Sequence, residues 1–120
     1  MKKLVLAAAL IAAPSQATDW QFIGQSLDNR TKIYVDADSV KKSDDVGIAW
    51  VKLTDPAKPG YTLIYYGFKC MLRQFSAVRM IEFSAKGERS DYSDALDREW
   101  EPAAPDTLIY YAADYVCGDR

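Results

Sequence analysis

The sequence of 120 residues contains no histidine. Histidine is the most frequent general base and metal ligand near neutral pH, so its absence excludes Ser-His-Asp and Cys-His catalytic arrangements. A zinc site of cysteine and histidine ligands is excluded as well if the only two cysteines, Cys70 and Cys117, are joined to each other. The composition therefore predicts a protein with no metal and no cofactor.

Glycine-rich loops and long apolar segments are also missing. Gly24, Gly60, Gly67 and Gly87 are isolated, so no loop of the phosphate-binding type is present. No stretch after Ala17 is apolar for long enough to span a bilayer. Without residues 1–17, which contain two lysines and no acid, the formal net charge changes from −2 to −4. A negative chain of this kind is unsuited to general binding of nucleic acid or anionic lipid.

The N-terminus has the layout of a secretory signal peptide. Lys2 and Lys3 form a positive end, Leu4–Ala13 is apolar, and small residues precede a cleavage site after Ala17. A membrane anchor is the alternative, but ten apolar residues are about half of the ~20 that a spanning helix needs. The sequence predicts a signal peptide at residues 1–17 and one exported domain at residues 18–120.

Two cysteines in an exported chain indicate one disulfide between Cys70 and Cys117. A redox-active pair of thiols is the alternative, but such pairs usually have the Cys-x-x-Cys spacing. We therefore expect the bridge to be structural.

Hydrophobic periodicity predicts an α+β fold, an antiparallel sheet of about five to six strands with a C-terminal helix packed on one face. Turn residues separate the strands, and residues 87–98 are polar enough to form a loop. The predicted strands are Trp20–Gln25, Thr31–Asp36, Val46–Leu53, Tyr61–Leu72, Phe75–Phe83 and Glu99–Pro102, and the predicted helix is Pro105–Cys117.

The central strand predicted at Tyr61–Leu72 is apolar on both faces. Either both faces are covered or one of them is a contact surface. The candidate binding residues are Tyr61, Leu63 and Tyr65 on one face of this strand, together with Tyr110 on the polar side of the helix. Arg79 interrupts an apolar side of the next strand, which places it near an edge or against a carboxylate.

Three patterns could suggest catalysis or metal binding. Ser39 and Lys42 have serine–lysine spacing without the partner motifs, which is typical of a turn serine beside solvated lysines. Aspartates between residues 36 and 45 do not fit an EF-hand, and turn formation explains them more simply than another calcium site. The acidic residues between Asp91 and Glu101 have no buried surroundings that would raise a pKa, so we expect a solvated surface and no enzyme.

With the strands placed, the chain resembles the surface-adhesin protein E family of bacterial envelopes. The resemblance extends over about Thr18–Cys117, and its most specific part is the Tyr34-Val35-Asp36-x-x-Ser39 element combined with the Trp50 strand and the two cysteines. The remaining matching features are Trp20, the Trp100-x-Pro102 segment and the terminal Val116-Cys117.

The family resemblance implies the same small sheet, helix and disulfide. It also implies a non-enzymatic protein that binds host matrix or serum proteins such as laminin, vitronectin and plasminogen. The alternative is a soluble periplasmic accessory or inhibitor protein that acts on another envelope protein. Both hypotheses predict a protein partner, and they place the chain at the cell surface or in the periplasm of a bacterium.

Overall fold

A computed structural model of the chain describes residues 18–118, and the predicted signal peptide lies outside that range. These residues form one antiparallel sheet of eight strands and one C-terminal α-helix, which confirms the predicted α+β class. The strands are β1 (Trp20–Gln25), β2 (Lys32–Asp36), β3 (Lys41–Ser43), β4 (Val46–Asp55), β5 (Lys58–Lys69), β6 (Gln74–Phe83), β7 (Arg89–Asp91) and β8 (Glu101–Pro102), and the helix is α1 (Leu108–Cys117).

The sheet is built around the long strands β4, β5 and β6, which follow one another as antiparallel hairpins. Its main order is β1-β2-β4-β5-β6-β7. The short strand β3 pairs with the start of β4, and β8 pairs with the start of β6. Within residues 18–118, no helix has the length and apolarity needed to span a bilayer.

The central strand β5 differs from its predicted range at both ends. It begins at Lys58, because Asp55 and Lys58 pair across a tight hairpin, so Pro59 and Gly60 belong to the strand. It ends at Lys69, because the backbone oxygen and the carboxylate of Asp45 accept the amides of Cys70 and Met71 and draw the chain out of the ladder. A turn with Arg73 at φ 51° follows.

Two short strands were not predicted. All residues of β3 and β7 are exposed and polar. Neither strand therefore shows the alternation of apolar and polar residues that identifies a half-buried strand. Both form because a neighbouring long strand offers backbone groups to pair with, which is a tertiary effect.

The helix begins later than the predicted residue Pro105. Asp106 has φ 66°, which is outside the helical region, and the Thr107 side chain accepts a hydrogen bond from the Tyr110 amide at 3.3 Å. Thr107 is thus the N-cap, and the first helical residue is Leu108. The predicted end at Cys117 is confirmed.

The core lies between α1 and one face of the sheet, which we call the helix face. The buried residues of this layer are Ile33, Val35, Ala49, Val51 and Phe68 from the sheet and Ala112, Ala113, Val116 and Cys117 from the helix. Tyr66 lies beside them, with its ring centroid 5.6 Å from that of Phe68. Burial raises the pKa of Tyr66 to about 12.

The predicted disulfide between Cys70 and Cys117 is confirmed. It joins the end of α1 to the turn between β5 and β6, and two polar contacts surround it. Arg73 bonds to the Cys70 oxygen at 2.9 Å and pairs with Asp114 of the helix at 2.8 Å. Lys42 donates to the Cys117 oxygen at 3.1 Å, where a cation favours the negative end of a helix.

Replacement of both cysteines by serine should lower the free energy of unfolding by about 4 kcal/mol, because the bridge closes a long loop between residues 47 positions apart. Denaturant unfolding with and without a reducing agent measures this loss. Reduction of the unmodified protein should give the same decrease. An unchanged midpoint in both experiments would contradict a stabilising bridge.

Gly47 lies where α1 comes closest to β4. A methyl group on Gly47 would lie 2.7 Å from Cγ1 of Val116, whereas one on Gly24 would lie at an ordinary 3.8 Å from Leu108. Gly47→Ala should therefore reduce stability by about 1–3 kcal/mol through overpacking. Gly24→Ala is the matched control beside the same helix and should change stability little. Equal thermal midpoints for the two variants would contradict this packing.

Candidate functional site: the aromatic face of the sheet

The face of the sheet opposite α1 carries three of the four candidate binding residues. Ile64 and Phe68 of β5 point to the helix side and are buried. The alternation along the strand therefore turns Tyr61, Leu63 and Tyr65 to the opposite side. We call this side the aromatic face.

The fourth candidate, Tyr110, lies on α1 and thus on the other side of the molecule. It is half-buried, and its ring packs edge-on against Tyr111 at 6.4 Å between centroids. Tyr111 is the more exposed of the two, at 41%. The structure does not bring Tyr110 together with the three residues of β5.

Rings from neighbouring strands pack against both tyrosines of the aromatic face. Tyr65 pairs with Trp50 of β4, with 5.0 Å between ring centroids. Tyr61 pairs with Phe83 of β6 and stacks on it at 4.9 Å. Tyr61 remains 39% exposed, so the rings form a surface that is partly open to solvent.

Lys52 of β4 lies among three aromatic rings of this face. Its Nζ is 4.9 Å from the ring centroid of Trp20, 5.3 Å from that of Tyr34 and 5.6 Å from that of Tyr61. Each distance is within the range of a cation–π interaction. We call Trp20, Tyr34, Lys52 and Tyr61 the Lys52 cluster.

A bulge in β6 determines which residues of that strand reach the aromatic face. Tyr65 pairs with Arg79 and Tyr66 with Ala77, so Val78 is the extra residue. Arg79, Ile81 and Phe83 therefore lie on the aromatic face, whereas Ala77 lies on the helix face. Uninterrupted alternation along Phe75–Phe83 would place Ala77, Ile81 and Phe83 on one side, and that expectation is wrong because the alternation breaks at the bulge.

Arg79 lies against a carboxylate, as predicted. It pairs with Asp91 of β7 at 3.3 Å, and its guanidinium is 5.9 Å from the Trp50 ring centroid. Hydrogen bonds from the side chain and the amide of Ser93, together with Arg79, lower the pKa of Asp91. The carboxylate thus stays ionised in the range where most proteins function.

Trp100 covers one end of the aromatic face. Its ring would be 3.3 Å from a methyl group on Gly67, so the absence of a side chain there leaves space for the indole. Lys69 lies 4.8 Å from the Trp100 ring centroid. The segment before Trp100 follows the β6 edge, where Arg98 donates to the Val78 oxygen and accepts from Ser76.

A groove of about 430 Å³ lies at the opposite end of the sheet. Its lining includes Tyr61 and Phe83 of the aromatic face, but Leu53, Thr62 and Glu82 lie on the helix face by strand register. The groove therefore lies at the end of the sheet beside both faces and is not an extension of the aromatic face alone.

Three residues of the Lys52 cluster, Trp20, Tyr34 and Lys52, were not among the predicted binding residues. Alternation alone could have placed Trp50 and Lys52 on one face, because they are two residues apart on a strand. The positions of Trp20 and Tyr34 beside Lys52 depend on the pairing of β1 with β2 and of β2 with β4. The second pairing brings Tyr34 opposite Lys52. No local sequence signal reports that register.

The patterns that resembled catalytic sites have structural roles here. Ser39 donates to the Asp36 oxygen and accepts the Trp50 amide, both at 2.9 Å, while Lys42 bonds to the helix end. All acidic residues between Asp91 and Glu101 are exposed. Among residues 18–118, no three acidic or cysteine side chains are close enough to share a metal ion.

The model of one protein family, surface-adhesin protein E, matches residues 20–118. The matched range begins with β1 and ends just after α1, so it contains both the helix face and the aromatic face. No curated protein and no solved structure matches the chain.

Proposed function

Since the chain belongs to the surface-adhesin protein E family, we propose that it is an exported, non-enzymatic protein of the bacterial envelope that binds another protein. The observation that carries this proposal is the aromatic face. Among the described residues no helix covers it, and Phe22, Tyr61 and Trp100 are 56%, 39% and 37% exposed. Aromatic side chains of this exposure are typical anchors of protein interfaces.

The proposed binding surface is centred on Tyr61, Leu63 and Tyr65. Their rings and side chains are held by cross-strand neighbours, so little conformational freedom is lost when a partner covers them. A rigid surface that combines apolar area with hydroxyl groups suits a protein ligand better than a small molecule. The family is described as a surface adhesin. From the resemblance to that family we propose host matrix or serum proteins as partners, with laminin, vitronectin and plasminogen as the first candidates.

Tyr65→Ala should weaken binding to such a partner by about tenfold or more, because it removes an aromatic anchor and uncovers Trp50. Tyr111→Ala is the matched control, since it removes an exposed tyrosine on the helix side. Surface plasmon resonance with immobilised laminin, vitronectin and plasminogen at physiological salt measures both variants.

Tyr110→Ala belongs in the same series, because it tests the helix side separately. Equal loss in Tyr65→Ala and Tyr111→Ala would contradict the aromatic face as the binding surface. If the unmodified protein shows no saturable binding to any of the three proteins, they are not its partners.

Protease treatment of intact cells decides where the protein acts. A surface adhesin should be digested on intact cells, and an antibody against the chain then shows its loss. If the chain is periplasmic, it should be protected until the cells are lysed. A known soluble periplasmic protein serves as the control that stays intact on unlysed cells. Protection would replace the adhesin role by that of a periplasmic accessory or inhibitor protein with an envelope partner.

A further inference from the structure

Positive charge is concentrated on the aromatic face of a chain that is negative overall. By strand register, this face receives Lys32, Lys41, Lys52, Lys69, Arg79 and Arg89, and only two acidic residues, Asp36 and Asp91. Both carboxylates already have partners within the protein. Asp36 is 5% exposed and accepts two backbone amides, and Asp91 pairs with Arg79 and Arg89.

Lys52 is the cation in the middle of the apolar part of this face. It is half-buried, and three rings surround its Nζ. Among residues 18–118, no carboxylate lies within salt-bridge distance of it. Lys32 lies two residues before Tyr34, on the same side of β2, and is also half-buried. Within residues 18–118 it forms no ion pair.

We propose that the Lys52 cluster binds a carboxylate of an acidic segment of the partner protein. This inference rests on the proposed function and names the chemistry of its ligand. A partner that covers the face removes water from Lys52, and a charge-assisted hydrogen bond from Nζ to glutamate or aspartate is then strong. The rings keep the ammonium in place before binding, because the cation–π contacts limit its conformations.

The surroundings of Lys52 favour a polypeptide over an acidic glycan. Phe22 packs edge-on against Tyr34 at 5.6 Å and is 56% exposed, and Leu63 lies directly opposite Lys52 on β5. These apolar groups can bury aliphatic or aromatic side chains on either side of a carboxylate. An acidic glycan has no aliphatic or aromatic side chain to bury against both the Phe22 ring and Leu63.

Two variants of Lys52 and one distant lysine isolate the role of its charge. Lys52→Met keeps an unbranched side chain among the rings but removes the ammonium, whereas Lys52→Arg keeps a cation. Lys86→Met is the matched control, because Lys86 is an exposed lysine in the turn between β6 and β7. Thermal unfolding of each variant shows that the fold is retained.

The probes are a short synthetic peptide of alternating glutamate and tyrosine, its counterpart with glutamine in place of glutamate, and heparin. Calorimetry and amide-resolved NMR titration of the full-chain protein measure binding. The acidic peptide should shift the amides of Tyr34, Lys52 and Tyr61 and bind at least about tenfold more tightly than the glutamine peptide. Lys52→Met should lose about the same factor, and Lys52→Arg should bind more tightly than Lys52→Met because it keeps a cation. Lys86→Met should stay within about twofold of the unmodified protein.

Equal binding of the two peptides, or unchanged binding by Lys52→Met, would overturn the inference. Heparin binding at the same amides without binding of the acidic peptide would assign the cluster to a glycan and also overturn it. The proposed function is tested separately by Tyr65→Ala. If Tyr65→Ala no longer binds a protein partner that Lys52→Met still binds, the proposed function is supported and the carboxylate site at Lys52 is contradicted.

Discussion

The packing of one short helix on a sheet with two apolar faces determines the rest of this structure. The helix α1 has ten residues, so it is about 15 Å long, and it packs on one face of the sheet. Its contacts with the sheet are mainly with β1, β2 and β4. The contact is close because Gly47, Ala112 and Ala113 are small, and the Cys70–Cys117 bond holds the end of the helix to the sheet. Within residues 18–118, no helix covers the opposite face.

Contacts between rings reduce the exposed apolar area of the aromatic face. Trp50 packs against Tyr65, and Tyr61 stacks on Phe83, across neighbouring strands, so each ring shields part of its neighbour. Lys52 occupies the space between Trp20, Tyr34 and Tyr61. The cations of this face favour a negatively charged partner, which would contact both apolar area and positive charge.

Much of the fold could be predicted because it depends on local patterns. Alternation of apolar residues identified the long strands, and the helical period of Leu108, Ala112 and Val116 identified α1. The predictions failed where backbone groups of a distant strand decide the outcome. The strands β3 and β7 have no apolar face of their own, and the end of β5 depends on hydrogen bonds that Asp45 accepts from the amides of Cys70 and Met71.

The candidate site shows the same division between local and distant information. That Tyr61, Leu63 and Tyr65 share one face follows from the sequence, because side chains alternate along any strand. The position of this face away from the helix, and the presence of Arg79 on it through the bulge at Val78, depend on contacts between distant segments. The register of β1, β2, β4 and β5 places Trp20, Tyr34 and Tyr61 around Lys52. These residues come from four strands, and no spacing within one strand encodes their meeting.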